Sequence, residues 1–208
     1  MAKQKLAVMA LLAGGCLAPL DAAGQSPFRW LNEPETWQAD QGVVEMTAMP
    51  KTDFWRKTYF GYITESGHVY GRDVVGDFIA TVRVAGVYAD QYDQAGLMVW
   101  ADDETWMKCG LEYVDGALTV SSVFTRDFSD WAGMPADGAE GPVWLRLVRK
   151  GASLTYGYSV DGETYRDVRQ GYLGEADSVL VGVMAAAPEG DGFAVRFENL
   201  TIVLANAD

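Results

Sequence analysis

The chain has 208 residues, 49% of them hydrophobic and 22% charged, and a net charge of −13. That length suits one domain with a real core, the composition excludes a disordered chain, and the acidic balance argues against nucleic acid and anionic membranes, which both require a positive face. Seven Trp, ten Tyr and eight Phe make a heavy aromatic load; in a β protein most such rings fill the core, and exposed ones serve as platforms for flat apolar ligand faces.

The first residues read as a leader. Lys3 and Lys5 precede an apolar run over 6–20, and Ala22-Ala23-Gly24 offers small residues for cleavage. This is the three-part pattern of a secretory signal peptide over 1–24, too short and glycine-interrupted for a membrane span. The expectation is a secreted or periplasmic protein with one domain over 25–208 and no transmembrane segment. Leu12-Ala13-Gly14-Gly15-Cys16 gives a second reading, a lipoprotein anchored through Cys16, with the leucine one place too far from the cysteine. After cleavage Cys109 alone remains, so no intramolecular disulfide forms.

Residues 25–35 are a polar, proline-bearing lead-in, in which Phe28 and Trp30 alternate and can start an edge strand. Residues 37–49 alternate around a turn near Asp40-Gln41-Gly42, a strand pair. The run 54–63 (FWRKTYFGYI) is dense in aromatics, and 68–71 is a short polar strand or loop. Residues 77–87 alternate cleanly, with Phe78, Ala80, Val82 and Val84 on one face.

Three antiparallel strands follow, over 95–101, 105–114 and 118–126. The connections Asp102-Asp103-Glu104 and Asp115-Gly116 are hairpin signals, because Asp and Gly tolerate the positive φ of tight turns. Alternation in the middle strand places Met107, Cys109, Leu111 and Tyr113 toward a core, and Trp106, Lys108, Gly110 and Glu112 on the opposite face. Cys109 is thus a buried small hydrophobe rather than a nucleophile. A loop leads to Trp131, and 132–142 reads as an exposed Gly/Pro-rich loop. Further strands are expected over 143–150, 153–160, 164–168, 179–187 and 193–203. No segment outside the leader holds a 3.6-residue period over three turns. Roughly a dozen short strands over about 180 residues predict an all-β, two-sheet antiparallel jelly roll.

Several runs carry a family likeness: Tyr92-Asp93-Gln94-Ala95-Gly96-Leu97-Met98-Val99, Trp106 through Tyr113, Ser129-Asp130-Trp131, Tyr158-Ser159-Val160-Asp161-Gly162, Val181-Gly182-Val183-Met184-Ala185-Ala186, Gly192-Phe193 and Phe197-Glu198. Together they resemble a family of unknown function typified by the "regulation of enolase" protein. The resemblance implies a concanavalin A-like fold, that of the lectin and glucanase superfamily, with a concave sheet. It carries over no catalytic residue set.

The residue types on the polar face suit a sugar, whose apolar face stacks on an aromatic plate while planar polar groups bond its hydroxyls. The candidate ligand-binding residues are Gln94, Trp106, Lys108, Glu112, Arg126 and Trp131. The reading is a non-catalytic carbohydrate-binding domain. Glycoside hydrolysis with Glu112 as acid or base is the alternative. It needs two carboxylates about 5–5.5 Å apart for retention or 6.5–9.5 Å for inversion, and the chain has no Glu-x-Asp-x-Glu. Lys108 and Glu112, four apart on a strand, are separated by about 13 Å. A protein-interaction module is the third class, since fold does not fix function. With His68 the single histidine, no ordinary zinc site is expected. No cofactor is assigned, although the acidic loops 90–93, 102–104 and 189–191 leave calcium open.

Overall fold

The protein is described by a computed structural model covering residues 27–138 and 141–205. The expected leader over 1–24 and Cys16 lie outside the described residues. Sixteen strands are formed and, among the described residues, no helix. They are β1 (Arg29–Leu31), β2 (Trp37–Asp40), β3 (Val43–Ala48), β4 (Phe54–Arg56), β5 (Ile63–Glu65), β6 (His68–Val75), β7 (Phe78–Gly86), β8 (Gln94–Asp102), β9 (Thr105–Val114), β10 (Ala117–Arg126), β11 (Phe128–Pro135), β12 (Val143–Lys150), β13 (Ser153–Ser159), β14 (Arg166–Tyr172), β15 (Ser178–Ala186) and β16 (Phe193–Leu204).

Two seven-stranded sheets result. Sheet A has the order β1-β6-β15-β8-β9-β10-β11, sheet B the order β14-β13-β12-β7-β16-β3-β2, and β4 and β5 form a separate hairpin. Every pairing between named strands is antiparallel. This is the expected all-β sandwich. The local run β8-β9-β10-β11 is a meander, while β15 reaches across the sequence to lie between β6 and β8.

The alternation expected in β9 is present. Met107, Cys109 and Leu111 enter the core between the sheets, meeting Val82, Leu145, Tyr156 and Phe197 of sheet B. Each such large apolar side chain contributes about 1.5–3 kcal/mol by leaving water. Asp115 and Gly116 both have positive φ, 51° and 83°, the signature of the type I′ turn whose twist matches a hairpin. Burial pushes the Cys109 thiol well above its ordinary value, which keeps it an unreactive thiol. Tyr156, also fully buried, sends its hydroxyl across the core to Gly110 O at 3.2 Å.

One local expectation is corrected. Residues 132–135 are not loop: they belong to β11, which pairs with β10 from Thr119↔Pro135 to Arg126↔Phe128. Its Gly and Pro content is that of an edge strand, where backbone donors are not all needed. The aromatic-rich run 54–63 forms most of a hairpin, β4 and β5, joined through 57–62, with positive φ at Lys57, Tyr59 and Gly61.

Candidate functional site

The face of sheet A turned away from sheet B has two halves. Over one half lies the β4–β5 hairpin, which encloses a second apolar cluster of Phe54, Val69, Met98, Trp100, Trp106, Val123, Leu180 and Met184. Trp106 sits at its centre with no exposed surface. Its ring is parallel to that of Trp100 (6.0 Å, 4°) and meets the Phe54 edge at 6.0 Å. The expectation that Trp106 is a ligand plate is therefore corrected: the face was assigned rightly, but the hairpin seals that part of it.

An ionic staple fixes the hairpin. The Arg56 guanidinium, nearly buried, reaches Glu65 (2.8 Å), Glu104 (3.2 Å) and Asp127 (3.3 Å). Burial works against its charge, but the bonds to Glu65 and Asp127 outweigh burial and raise its pKa. Lys57 joins Asp127; that bond first, and then Arg56, hold the Asp127 carboxyl below its usual range against some burial. Arg56 N–H donates to Ser129 Oγ at 2.9 Å, and Ser129 Oγ bonds Thr125 Oγ1 at 2.9 Å. His68 fastens the preceding segment. Its Nδ1–H donates to Asn32 O at 2.7 Å and its Nε2 accepts from Met49 N–H at 3.0 Å, an arrangement that requires the neutral ring. Burial lowers its pKa, against the opposing bond to Asn32.

The open half of the face is a groove of about 1080 Å³. Gln94, Lys108 and Glu112 form its floor, Trp131 one wall, and Trp55, Tyr59, Phe60 and Tyr62 of the hairpin the other. Gln94 stands directly opposite Glu112 across β8 and β9. Between Lys108 and Glu112 the floor is bare backbone, because Gly110 faces Gly96; a Cβ on Gly110 would lie 2.2 Å from Ala95 O.

Lys108 is buried and fully engaged. Its ammonium donates to Gln94 Oε1 (2.6 Å), Phe54 O (2.7 Å) and Asp53 Oδ1 (3.3 Å). It thus acts as a positioning residue that ties the hairpin's first residues to the floor, rather than as a ligand contact. Gln94 Nε2 donates to Asp53 Oδ1 and Tyr92 O, both at 3.2 Å. Asp53 also accepts from its neighbour Phe54 N–H at 2.7 Å on the same oxygen.

Trp131 is oriented before any ligand arrives. Its indole N–H donates to Glu112 Oε2 at 2.7 Å, and its ring lies over Gly133, where an added Cβ would come within 2.6 Å of it. The ring is 43% exposed. Arg126 is corrected in place. Its register partner is Thr105, so its parity is that of the core-facing set. At the strand end it follows that parity toward sheet B, donating to Tyr172 O at 2.7 Å and lying over the Tyr172 ring, while it also lines the groove.

Asp53, Trp55, Tyr59, Phe60 and Tyr62 were not among the expected site residues. The signal was the aromatic density of 54–63, which shows neither the strand nor the helix period cleanly. Tyr59 is 93% exposed, and Phe60 packs on Trp55, Tyr59 and Tyr62 with centroids 4.9–5.7 Å apart. Partial burial raises the Tyr62 phenol's pKa, with further contributions from Asp53, Tyr92 and Glu189. The loops left open for calcium use their carboxylates as turn caps: Asp93 Oδ2 accepts from Ala89 and Asp90 N–H, and Asp102 Oδ1 from Glu104 N–H. Among the described residues no group of three His, Cys, Asp or Glu side chains could hold a metal ion, and no helix is long and apolar enough to cross a membrane.

The fold is thus a two-sheet jelly roll, with an aromatic-walled groove on the outer face of sheet A. The chain belongs to the family described as protein of unknown function (DUF1349), whose model matches residues 30–204. A curated relative, "Regulation of enolase protein 1" of Saccharomyces cerevisiae, is 40% identical over 173 residues, 83% of this chain and 87% of that protein. The crystal structure of a functionally unknown protein from Saccharomyces cerevisiae superposes with a TM-score of 0.83 at 38% identity, covering 86% of this chain and 97% of that one. The carbohydrate binding module CBM66 from Bacillus subtilis shares the fold, with a TM-score of 0.51 at 12% identity over 86% of this chain and 96% of the module.

Proposed function

We propose that the protein is a secreted, non-catalytic carbohydrate-binding domain that holds a glycan in the groove on the outer face of sheet A. The observation that carries this reading is Trp131, an exposed ring lying over Gly133 and fixed by its N–H to Glu112. A plate already ordered loses little conformational entropy when a pyranose stacks on it. The floor beside it supplies hydrogen-bonding groups, and the groove's volume accommodates several sugar units. The shared fold with a carbohydrate-binding module is consistent with this use, and the leader pattern over 1–24 supports export.

The hydrolytic alternative, with Glu112 as acid or base, is favoured by Asp53, a second carboxylate lining the same groove. Affinity electrophoresis through a panel of polysaccharides separates the readings, with Trp131→Ala and Glu112→Gln run beside wild type. Retardation that Trp131→Ala abolishes, with no reducing ends released, is the expected result. Reducing ends produced by wild type and lost in Glu112→Gln would replace it with the hydrolase. Silence across the panel would remove the glycan reading and leave the exposed hairpin rings as a protein-docking surface.

A further inference from the structure

On the floor of the groove the hydrogen-bonding capacity left open is that of acceptors. Lys108 directs its three donors to Gln94, Phe54 and Asp53, which is all an ammonium has. Gln94 Nε2 uses both hydrogens on Asp53 and Tyr92 O. The Trp131 and Trp55 indoles donate to Glu112 and Thr58 O, and Arg126, farther along the lining, places one of its five N–H groups on Tyr172 O. The acceptors are in the opposite condition. Asp53 takes its bonds on Oδ1 and Glu112 its bond on Oε2, so Asp53 Oδ2 and Glu112 Oε1 receive none from the described residues. On the floor, the polar side-chain atoms left for a ligand are carboxylate oxygens, while Thr58, the tyrosine hydroxyls and the remaining Arg126 N–H groups lie elsewhere in the lining.

Charge points the same way. Asp53 is paired with Lys108, and Asp130 with Arg169 at 2.9 Å. Glu112 is 5% exposed, and among the described residues no cation lies within ion-pairing distance of it; its bonded partner is the neutral Trp131 indole. A ligand cation placed there supplies the missing counter-charge, and the exposed Trp131 ring beside it adds a cation–π face.

We propose that the groove is specific for an amino sugar, a hexosamine unit with a free, protonated amine. The ammonium donates to Glu112 Oε1 beside the Trp131 ring, and ring hydroxyls donate to Asp53. This rests on the glycan reading above and narrows it. N-acetylation replaces the ammonium with an amide whose carbonyl meets only acceptors, and uronates or sulfated sugars bring anions against carboxylates.

The test is isothermal titration of the full-length mature protein with short β-1,4 oligomers of glucosamine, N-acetylglucosamine and glucose of equal length, at near-physiological ionic strength to screen long-range attraction to the acidic protein. Wild type is expected to bind the glucosamine oligomer at least about tenfold more tightly than the other two, as a charge-assisted contact allows. Glu112→Gln, whose amide oxygen can still accept the Trp131 N–H, is expected to erase that preference, since the charge-assisted part is lost. Asp40→Asn, which removes an equal charge from the exposed end of β2 in sheet B, is expected to preserve the preference. Equal or tighter binding of the N-acetylated or neutral oligomer overturns the proposal and leaves the glycan reading standing. So does a preference that survives Glu112→Gln, or one that Asp40→Asn reduces as much. The wild-type comparison among the three oligomers decides the matter even if Glu112→Gln does not fold. Absence of binding to all three overturns the proposal, and the polysaccharide panel above decides the glycan reading separately.

Discussion

The two halves of one sheet face, built from the same strands, have opposite fates. Trp106 and Glu112 share a strand and a side of it, six residues apart. Trp106 lies beneath the β4–β5 hairpin, stacked on Trp100 and sealed from water. Glu112 lies at the floor of an open groove with Trp131 leaning over it. Residue type and strand parity decide which face a side chain occupies, and the segment that crosses above decides whether it becomes core or site. The hairpin does both, because its inner residue Phe54 closes one half while its outer rings Tyr59, Phe60 and Tyr62 wall the other.

The largest expected effect comes from exchanging roles across that boundary. Trp106→Ala leaves a large cavity under the hairpin and is expected to lower stability by about 3–5 kcal/mol, read by chemical denaturation. Trp131→Ala is expected to cost only about 1 kcal/mol, one hydrogen bond in a wet site, while abolishing ligand binding. Equal stability losses would show that the two halves are not different in kind. Next is the clamp between them. Lys108→Met strands Asp53 without its cation and is expected to cost about 3 kcal/mol, with faster amide exchange at 53–56 than elsewhere in the sheet. Unchanged exchange there would show that Lys108 does not position the hairpin. Smaller again is Gly110→Ala, whose Cβ would press on Ala95 O at 2.2 Å; about 1–3 kcal/mol is expected, with loss of groove depth even where the protein folds.

Much of the covered sheet was legible in the sequence, because β8, β9 and β10 alternate cleanly and Asp115-Gly116 marks their second turn. Lys108 and Glu112 were correctly placed on one side from parity alone. Three features were not legible. Trp106 reads like Trp131 until the hairpin is placed over it, and that crossing is a long-range contact with no local signal. Arg126 lies at a strand end on the side that faces sheet B, and its partner there, Tyr172, is distant in sequence. Asp53 enters the site from a turn some forty residues before Gln94, and only the fold brings the two together.

The smallest effect is one of pH. His68 is neutral in the fold, donating to Asn32 O and accepting from Met49 N–H, and its pKa lies below the ordinary 6.5. A group with a lowered folded pKa contributes stability that is complete above its unfolded value and declines as pH falls through the folded one. The melting temperature is therefore expected to begin falling below about pH 6.5, before the carboxylates titrate, and His68→Gln is expected to flatten that early decline. An identical decline in the variant would place its origin elsewhere.

The most direct measurement of the central claim is a titration of the ¹⁵N-labelled protein with a binding oligosaccharide, followed through its tryptophan indole N–H resonances. The account predicts that the Trp131 resonance, and that of Trp55 on the facing wall, move with saturation while those of Trp100 and Trp106 stay in place. Shifts confined to Trp100 and Trp106, or to Trp144 on sheet B with Trp131 unmoved, would contradict it.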